Sequence, residues 1–188
     1  ESPFQDLKSL VAYAKAHPGE LTFGSPGPGT LPHLAMEQFA QVADIEMTHV
    51  PFSGDNPALT ALMGGHINAY IATPNTVRDR GFRALAVFSD EQQESLPGTR
   101  TALEQGYRMT AWISGGLIAP KGLPADIKAR LVKGCETATG SAHMKQVLGR
   151  IGFEPRYLDP TGYRQEVEQA DQVNGKLIEK VIKNPAGQ

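Results

Sequence analysis

The chain has 188 residues, 40% of them apolar, and its 18 Lys and Arg against 20 Asp and Glu give a net charge of −2. That length suits one domain or two small lobes around a real core, and the dispersed basic residues form no aromatic-interleaved patch of the kind that binds nucleic acid. A single cysteine, Cys135, excludes an internal disulfide and a cysteine-based metal cluster, and no apolar run reaches membrane-spanning length.

In chain order, Leu7, Leu10, Val11 and Ala14 recur at helical spacing and predict a helix that stops at His17-Pro18-Gly19. Leu21–Gly24 predicts a short strand, and Leu31, Ala35, Phe39 and Val42 predict a second helix. Glu46–Val50 reads as a strand running into Pro51-Phe-Ser-Gly54. Leu59 and Leu62–Met63 then mark a short helix stopped by Gly64-Gly65. Further strands are expected over Ile67–Thr73 and Arg83–Phe88, followed by a short helix at Thr101–Gln105 and an extended apolar run from Trp112 to Pro120. Pro124 suits the first turn of a helix reaching about Gly140. That helix would bury Cys135 among Ile127, Leu131, Val132 and Ala138. Ser141 caps a shorter helix carrying Met144, Val147 and Leu148. Phe153–Leu158 is expected as a last strand, and Asp159-Pro160 opens a long helix with the stripe Tyr163, Val167, Ala170, Leu177 and Val181. Strand and helix alternate up to about residue 88, the pattern of an α/β domain with a mainly parallel sheet and flanking helices.

The segment Phe23-Gly-Ser-Pro-Gly-Pro-Gly-Thr30 joins a predicted strand directly to a predicted helix. Such a turn leaves the first helical N–H groups unpaired and aimed outward, with the positive end of the helix dipole behind them, which suits a carboxylate, phosphate or sulfate. The nucleotide loops do not fit. No Lys follows Gly29, Pro26 and Pro28 remove two donors, and Pro32 stands where a dinucleotide fingerprint needs its third glycine. In an open α/β sheet, ligands sit beyond the carboxyl ends of the strands. Three loops are expected there, Ser25–Thr30, Pro51–Asp55 and Thr73–Thr76. Together they offer the hydroxyls of Ser25, Thr30, Ser53 and Thr73, the amide of Asn75 and several backbone N–H groups, which makes a neutral cup for a carboxylate.

Catalytic readings are weaker. No two of the five histidines form a metal-ligand pair at helical spacing. His33 and Glu37 are four apart on a helix, and a surface pair or a pocket-lining histidine is favoured over a metal site. His49 reads as strand-end packing or a loop hydrogen bond, and neither Ser25 nor Ser53 has the Gly-x-Ser-x-Gly setting of a nucleophile elbow. Two alternatives stay open: an α/β enzyme acting on a small anionic substrate with His33 or His49 as acid or base, and an interaction module whose loop binds nothing.

An ordered set of segments covers nearly the whole chain. It comprises Val11-Ala-Tyr-Ala-Lys-Ala-His-Pro-Gly-Glu-Leu-Thr-Phe-Gly-Ser-Pro-Gly-Pro-Gly-Thr30, His33-Leu-Ala, His49-Val-Pro-Phe-Ser-Gly54, Pro57-Ala-Leu, Leu62-Met-Gly-Gly-His-Ile67, Arg83-Ala-Leu-Ala-Val87 and Ala119-Pro-Lys-Gly-Leu-Pro124. In that order these segments resemble the receptors of tripartite tricarboxylate transporters, the Bug-type or TctC-like proteins. The resemblance implies a two-lobed periplasmic solute-binding protein without catalytic activity or cofactor. It would close over a mono-, di- or tricarboxylate or an amino acid and deliver it to a membrane permease of two subunits. It places Ser25, Gly27, Gly29 and Thr30 in the anion loop, with Phe52, Ser53 and Gly54 in its neighbour. Phe52 stands where the family more usually has Tyr, and Ser53 where it often has Lys, which removes a charged contact. With His33, Thr73 and Asn75 these form the candidate ligand site. Residues 1–115 are expected as the ligand-binding second lobe and 116–188 as a C-terminal segment completing the first. The strand and glycine-rich loop that begin the family's first lobe are absent, so the chain is expected to be a piece of a longer protein. Its 120–188 part would then show an apolar face able to drive self-association.

Overall fold

The computed structural model describes residues 2–111, 113–150 and 152–183. The elements run α1 (Leu7–Ala16), β1 (Thr22–Ser25), α2 (Leu31–Ala43), β2 (Thr48–Pro51), α3 (Asp55–Met63), β3 (Ala69–Tyr70), α4 (Pro74–Asp79), α5 (Ala125–Thr139), α6 (Ala142–Arg150) and α7 (Pro160–Lys183). The strands form one parallel sheet in the order β2-β1-β3, with Phe23 opposite His49 on one side and Ala69 on the other.

Local chemistry accounts for the helix ends. Asp6 and Ser9 form a reciprocal capping box at the start of α1: the Ser9 N–H donates to Asp6 Oδ1 at 2.8 Å, and the Asp6 N–H donates to Ser9 Oγ at 3.2 Å. Pro32 occupies the first turn of α2, where its missing N–H costs nothing. The same helix ends on Asp44 at φ +52, a left-handed cap that lets the Ile45 N–H return to the Ala40 carbonyl at 3.0 Å.

The apolar stripes meet in one core. Leu7, Leu10, Val11 and Ala14 of α1 lie with Phe23 of β1, Met36, Phe39 and Ala43 of α2, and Ala102 and Met109 from the later coil. Phe39, 1% exposed, meets Phe88 and Tyr107 edge-on at 5.8 and 5.5 Å.

Several predicted elements differ from those formed. β3 covers only Ala69–Tyr70 rather than Ile67–Thr73, because the chain turns early into the unpredicted helix α4. Pro74 fixes its first turn, and the Thr73 hydroxyl accepts the Thr76 N–H. Arg83–Phe88 is not a strand; Val87 alone makes a parallel bridge to Thr101. Thr101–Gln105 forms turns rather than a helix, drawn together by the Glu104 carboxylate accepting the Thr101 N–H at 2.7 Å. Phe153–Leu158 finds no partner strand among the described residues, and a strand without a ladder leaves its backbone groups unpaired. Trp112 lies outside the described residues, and 113–120 has no regular structure. Cys135 is half-buried rather than enclosed. Among the described residues no helix is long and apolar enough to cross a membrane.

The chain divides into two compact units, 114–173 and the remainder. The larger contains the sheet and α1–α4, and from Asn174 the end of α7 belongs to it, with Leu177 3% exposed. The smaller holds α5, α6 and the start of α7. Neither α5 nor α6 buries a residue, and Ile127, Leu131, Val147 and Val167 remain about 40% exposed or more.

The aromatic cluster gives the first test. Phe39→Ala removes a ring from a filled site and should cost about 3–5 kcal/mol in urea unfolding, whereas Val42→Ala on the open side of α2 should stay within about 0.5 kcal/mol.

Candidate anion-binding site

Parallel pairing sets the three strand ends side by side, so the loops following β1, β2 and β3 leave the same edge of the sheet. The Phe52 N–H continues the ladder past β2 by donating to the Ser25 carbonyl at 2.9 Å. Gly24 makes the close approach possible. A Cβ there would stand 2.5 Å from Ile67 Cδ1 and 3.3 Å from the rings of Phe52 and Tyr70. The Tyr70 hydroxyl donates to the Asp55 carboxylate, which ties the end of β3 to the start of α3. That bond and the ring's burial push the Tyr70 pKa well above the ordinary phenol value, burial being the larger cause. Arg80 Nη2 donates to Asn56 Oδ1 at 2.9 Å and joins α4 to α3.

The Ser25–Thr30 loop is tied within itself. Gly27 has φ +141 and Gly29 φ +75, conformations that favour glycine. The Gly27 carbonyl accepts from Ser25 Oγ at 2.9 Å and from Thr30 Oγ1 at 2.7 Å. The Gly27 N–H donates to Ser25 Oγ at 3.2 Å, and the Gly29 N–H donates to His33 Nδ1 at 3.0 Å. The expectation of outward-aimed donors is therefore corrected for these two glycines, whose N–H groups are spent inside the loop, as are the Ser25 and Thr30 hydroxyls. The donors left over belong to the first helical turns. Pro32 has no N–H, and the N–H groups of Leu31 and His33 make no hydrogen bond among the described residues. α3 starts at Gly54, φ +152, without a side-chain cap, and α4 is capped by Thr73, whose Oγ1 also lies 2.9 Å from Thr76 Oγ1.

Beneath the loop two imidazoles stack. His33 from α2 and His49 from β2 are 2% and 8% exposed, with ring centroids 3.7 Å apart and planes 12° from parallel. Phe23 continues the stack below His49 at 5.0 Å. Burial lowers both histidine pKa values, and His49 falls to about 4 through burial and then the neighbouring His33. Accepting at Nδ1 puts the single His33 proton on Nε2, which lies 3.9 Å from Glu37 Oε1. That pair gains no third ligand, since no group of three or more His, Cys, Asp or Glu among the described residues could hold a metal. His49 Nε2 lies 2.7 Å from Ser25 Oγ. A serine hydroxyl beside an imidazole is the arrangement of an activated nucleophile. Here, however, Ser25 is 0% exposed and its Oγ also meets both backbone groups of Gly27. The contact tethers a loop.

Of the candidate residues, the sheet edge thus gathers Ser25, Gly27, Gly29, Thr30, Phe52, Ser53 and Gly54, with Thr73 and Asn75 at the start of α4. Ser53 is exposed, Phe52 and Thr73 are half-buried, and Asn75 is 6% exposed. His33 lies behind the loop rather than lining an opening. The sequence reading left His49 out of the site. Its signals were a strand position directly across from Phe23, and the four-residue step from Gly29 to His33 that brings the other ring onto the loop.

Comparison with known proteins bears on this edge. Residues 1–182 match the tripartite tricarboxylate transporter family receptor, TctC. The chain belongs to that family. Among solved structures it is similar to the R. palustris protein Rpa4515 with adipate, at 28% identity and a TM-score of 0.72 over 92% of this chain and 62% of that one. MatC (Rpa3494) from Rhodopseudomonas palustris with bound malate is 25% identical, with a TM-score of 0.70 over 94% of this chain and 63% of MatC. A ligand-free TctC solute-binding protein from Polaromonas, 23% identical, shares the fold at a TM-score of 0.81 over 96% and 63% of the two chains. The chain spans about half the length of the curated relatives it matches.

The lowered His49 pKa sets a pH dependence. Between about 4 and the ordinary imidazole value of 6.5 the unfolded chain binds more protons there than the folded one, so stability rises with pH. This contribution is complete above that window and is lost as the pH falls through it. Urea midpoints measured from pH 7.5 to 4 should decline across that range, and a flat profile would contradict the neutral stack. Gly29→Ala, forced to φ +75, should lower stability by about 1–2 kcal/mol at pH 7.5, read from the same urea curves.

Proposed function

We propose that this chain is the capture portion of an extracytoplasmic receptor, placed in the periplasm, that takes up a small dicarboxylate for a membrane permease of two subunits. The observation that carries this reading is the single sheet edge where α2, α3 and α4 all begin. The positive dipole ends of α2 and α3, whose first turns carry no side-chain cap, form an anion site beside the Thr73-capped start of α4, and the candidate residues include no Lys or Arg. Such a site favours a carboxylate held by backbone donors, hydroxyls and bridging water. Family membership supports the role of receptor. The adipate and malate complexes of the two R. palustris proteins support the ligand class.

In this reading Leu31 and His33 offer backbone donors, while Ser25, Gly27, Gly29 and Thr30 shape the loop that presents them. Ser53, Gly54 and Phe52 form the opposing lip, and Thr73 and Asn75 close the third side. Residues 1–115 act as the ligand-binding lobe. Residues 116–173 contribute to the other lobe, and the bare apolar sides of α5 and α6 are the surface that further receptor chain, or a second copy, covers. Capture proceeds by hinge closure, with the closed state binding the dicarboxylate better.

Isothermal titration of the chain with adipate and malate, alongside the corresponding diamides, tests this reading. The dicarboxylates should bind and the diamides should not; equal binding of both, or of neither, contradicts an anion site on this chain. Ser53→Ala removes an exposed hydroxyl without touching the core. It should weaken dicarboxylate binding about 2–10-fold, the worth of one hydrogen bond, at an unchanged melting temperature.

A further inference from the structure

The stacked imidazoles reach the anion loop through one contact each. His33 Nδ1 accepts the Gly29 N–H at 3.0 Å, and His49 Nε2 lies 2.7 Å from Ser25 Oγ, which in turn holds the Gly27 backbone. A ring nitrogen accepts only while it carries no proton, so the Gly29 bond exists only with His33 neutral. Resting on the dicarboxylate-receptor reading, we propose that His33 and His49 are positioning residues: as neutral rings they fix the Ser25–Thr30 loop in its ligand-receiving form, and protonation of His33 releases Gly29 and loosens the loop.

The surroundings of the pair support this role. His33 faces Glu37 on its own helix and His49 on β2, whereas β1 contributes Phe23 and Ser25, neither of which titrates in the acid range. His49 faces His33, Phe23 and Ser25. Glu37 favours a proton on His33, burial opposes it, and a second positive ring 3.7 Å away opposes it further. Both rings are therefore neutral at pH 7, in keeping with the lowered values of each. A mere packing role would not require a nitrogen acceptor at this point. A phenyl ring fills the same slot and cannot receive the Gly29 N–H.

Amide replacements separate the two possibilities. Asn at position 33 sets an oxygen where Nδ1 stands and does not titrate, while Phe keeps the ring and loses the acceptor. The experiment follows the ring signals of His33 and His49 and the amide signals of Gly27 and Gly29 by NMR from pH 8 to 4. Adipate titrations at each pH are run for the native chain, His33→Asn and His33→Phe. Comparing variants cancels the protonation of adipate itself. The Gly29 amide should shift with the His33 midpoint, and His33→Asn should bind within about threefold of the native chain at pH 7. On acidification His33→Asn should lose less affinity than the native chain. His33→Phe should bind about tenfold more weakly at pH 7, the loss expected for one well-placed hydrogen bond. A Gly29 amide indifferent to His33 titration, or matching pH profiles for the native chain and His33→Asn, would overturn the proposal. Coupled ring and amide signals without adipate binding at any pH would support the tether and refute the dicarboxylate reading instead.

Discussion

The parallel pairing of β1 between β2 and β3 is the constraint on which the rest of the larger unit depends. It buries Phe23 and Ser25 completely. It also forces every following segment to leave at one edge, because parallel strands cannot be joined by tight hairpins and must return through helices. Three helix starts therefore converge there, and the one charged group at the start of α3, the Asp55 carboxylate, is taken up by the Tyr70 hydroxyl. Gly24 permits that convergence to be close, since the rings of Phe52 and Tyr70 occupy the space a side chain would take.

The loop shows a second consequence of burial. Polar groups beneath the sheet edge have little water to turn to, so they satisfy one another. The Gly27 carbonyl collects two hydroxyls, the Gly29 N–H takes a ring nitrogen, and Ser25 mediates between backbone and His49. The donors that remain for a ligand are those that no local geometry can satisfy, the N–H groups of the first helical turn. On the proposed function, a loop bonded within itself that carries a few uncommitted donors leaves little ordering to be done on binding.

Much of this was legible in the sequence where a local rule acts alone. The stripe Leu7, Leu10, Val11 and Ala14 of α1, the helical spacing of Leu31, Ala35 and Phe39 in α2 and the Asp159-Pro160 opening of α7 follow from periodicity and capping. The α/β class follows from their alternation with strands. What the sequence concealed depends on partners far along the chain. Arg83–Phe88 has strand composition, yet the segment beside it turns at Thr101 and offers a single bridge. Ile67–Thr73 looked like a full strand because Thr73 and Pro74 are equally at home in a loop and at a helix start. The direction of the Gly29 N–H was invisible for the same reason. The glycine pattern announces a helix start, but only the stacked position of His33 over His49 shows that this donor is already taken.

The central claim is that the strand-end edge receives a dicarboxylate through the first-turn N–H groups of α2 and the Phe52–Gly54 lip. An NMR titration of the isotopically labelled chain with adipate tests it most directly. The amide signals of Leu31, His33, Ser53 and Gly54 are expected to move together and saturate at one stoichiometric equivalent, while those of α1 stay in place. Saturable shifts confined to α5–α7, or no shift at the edge under conditions where calorimetry detects binding, would contradict the account.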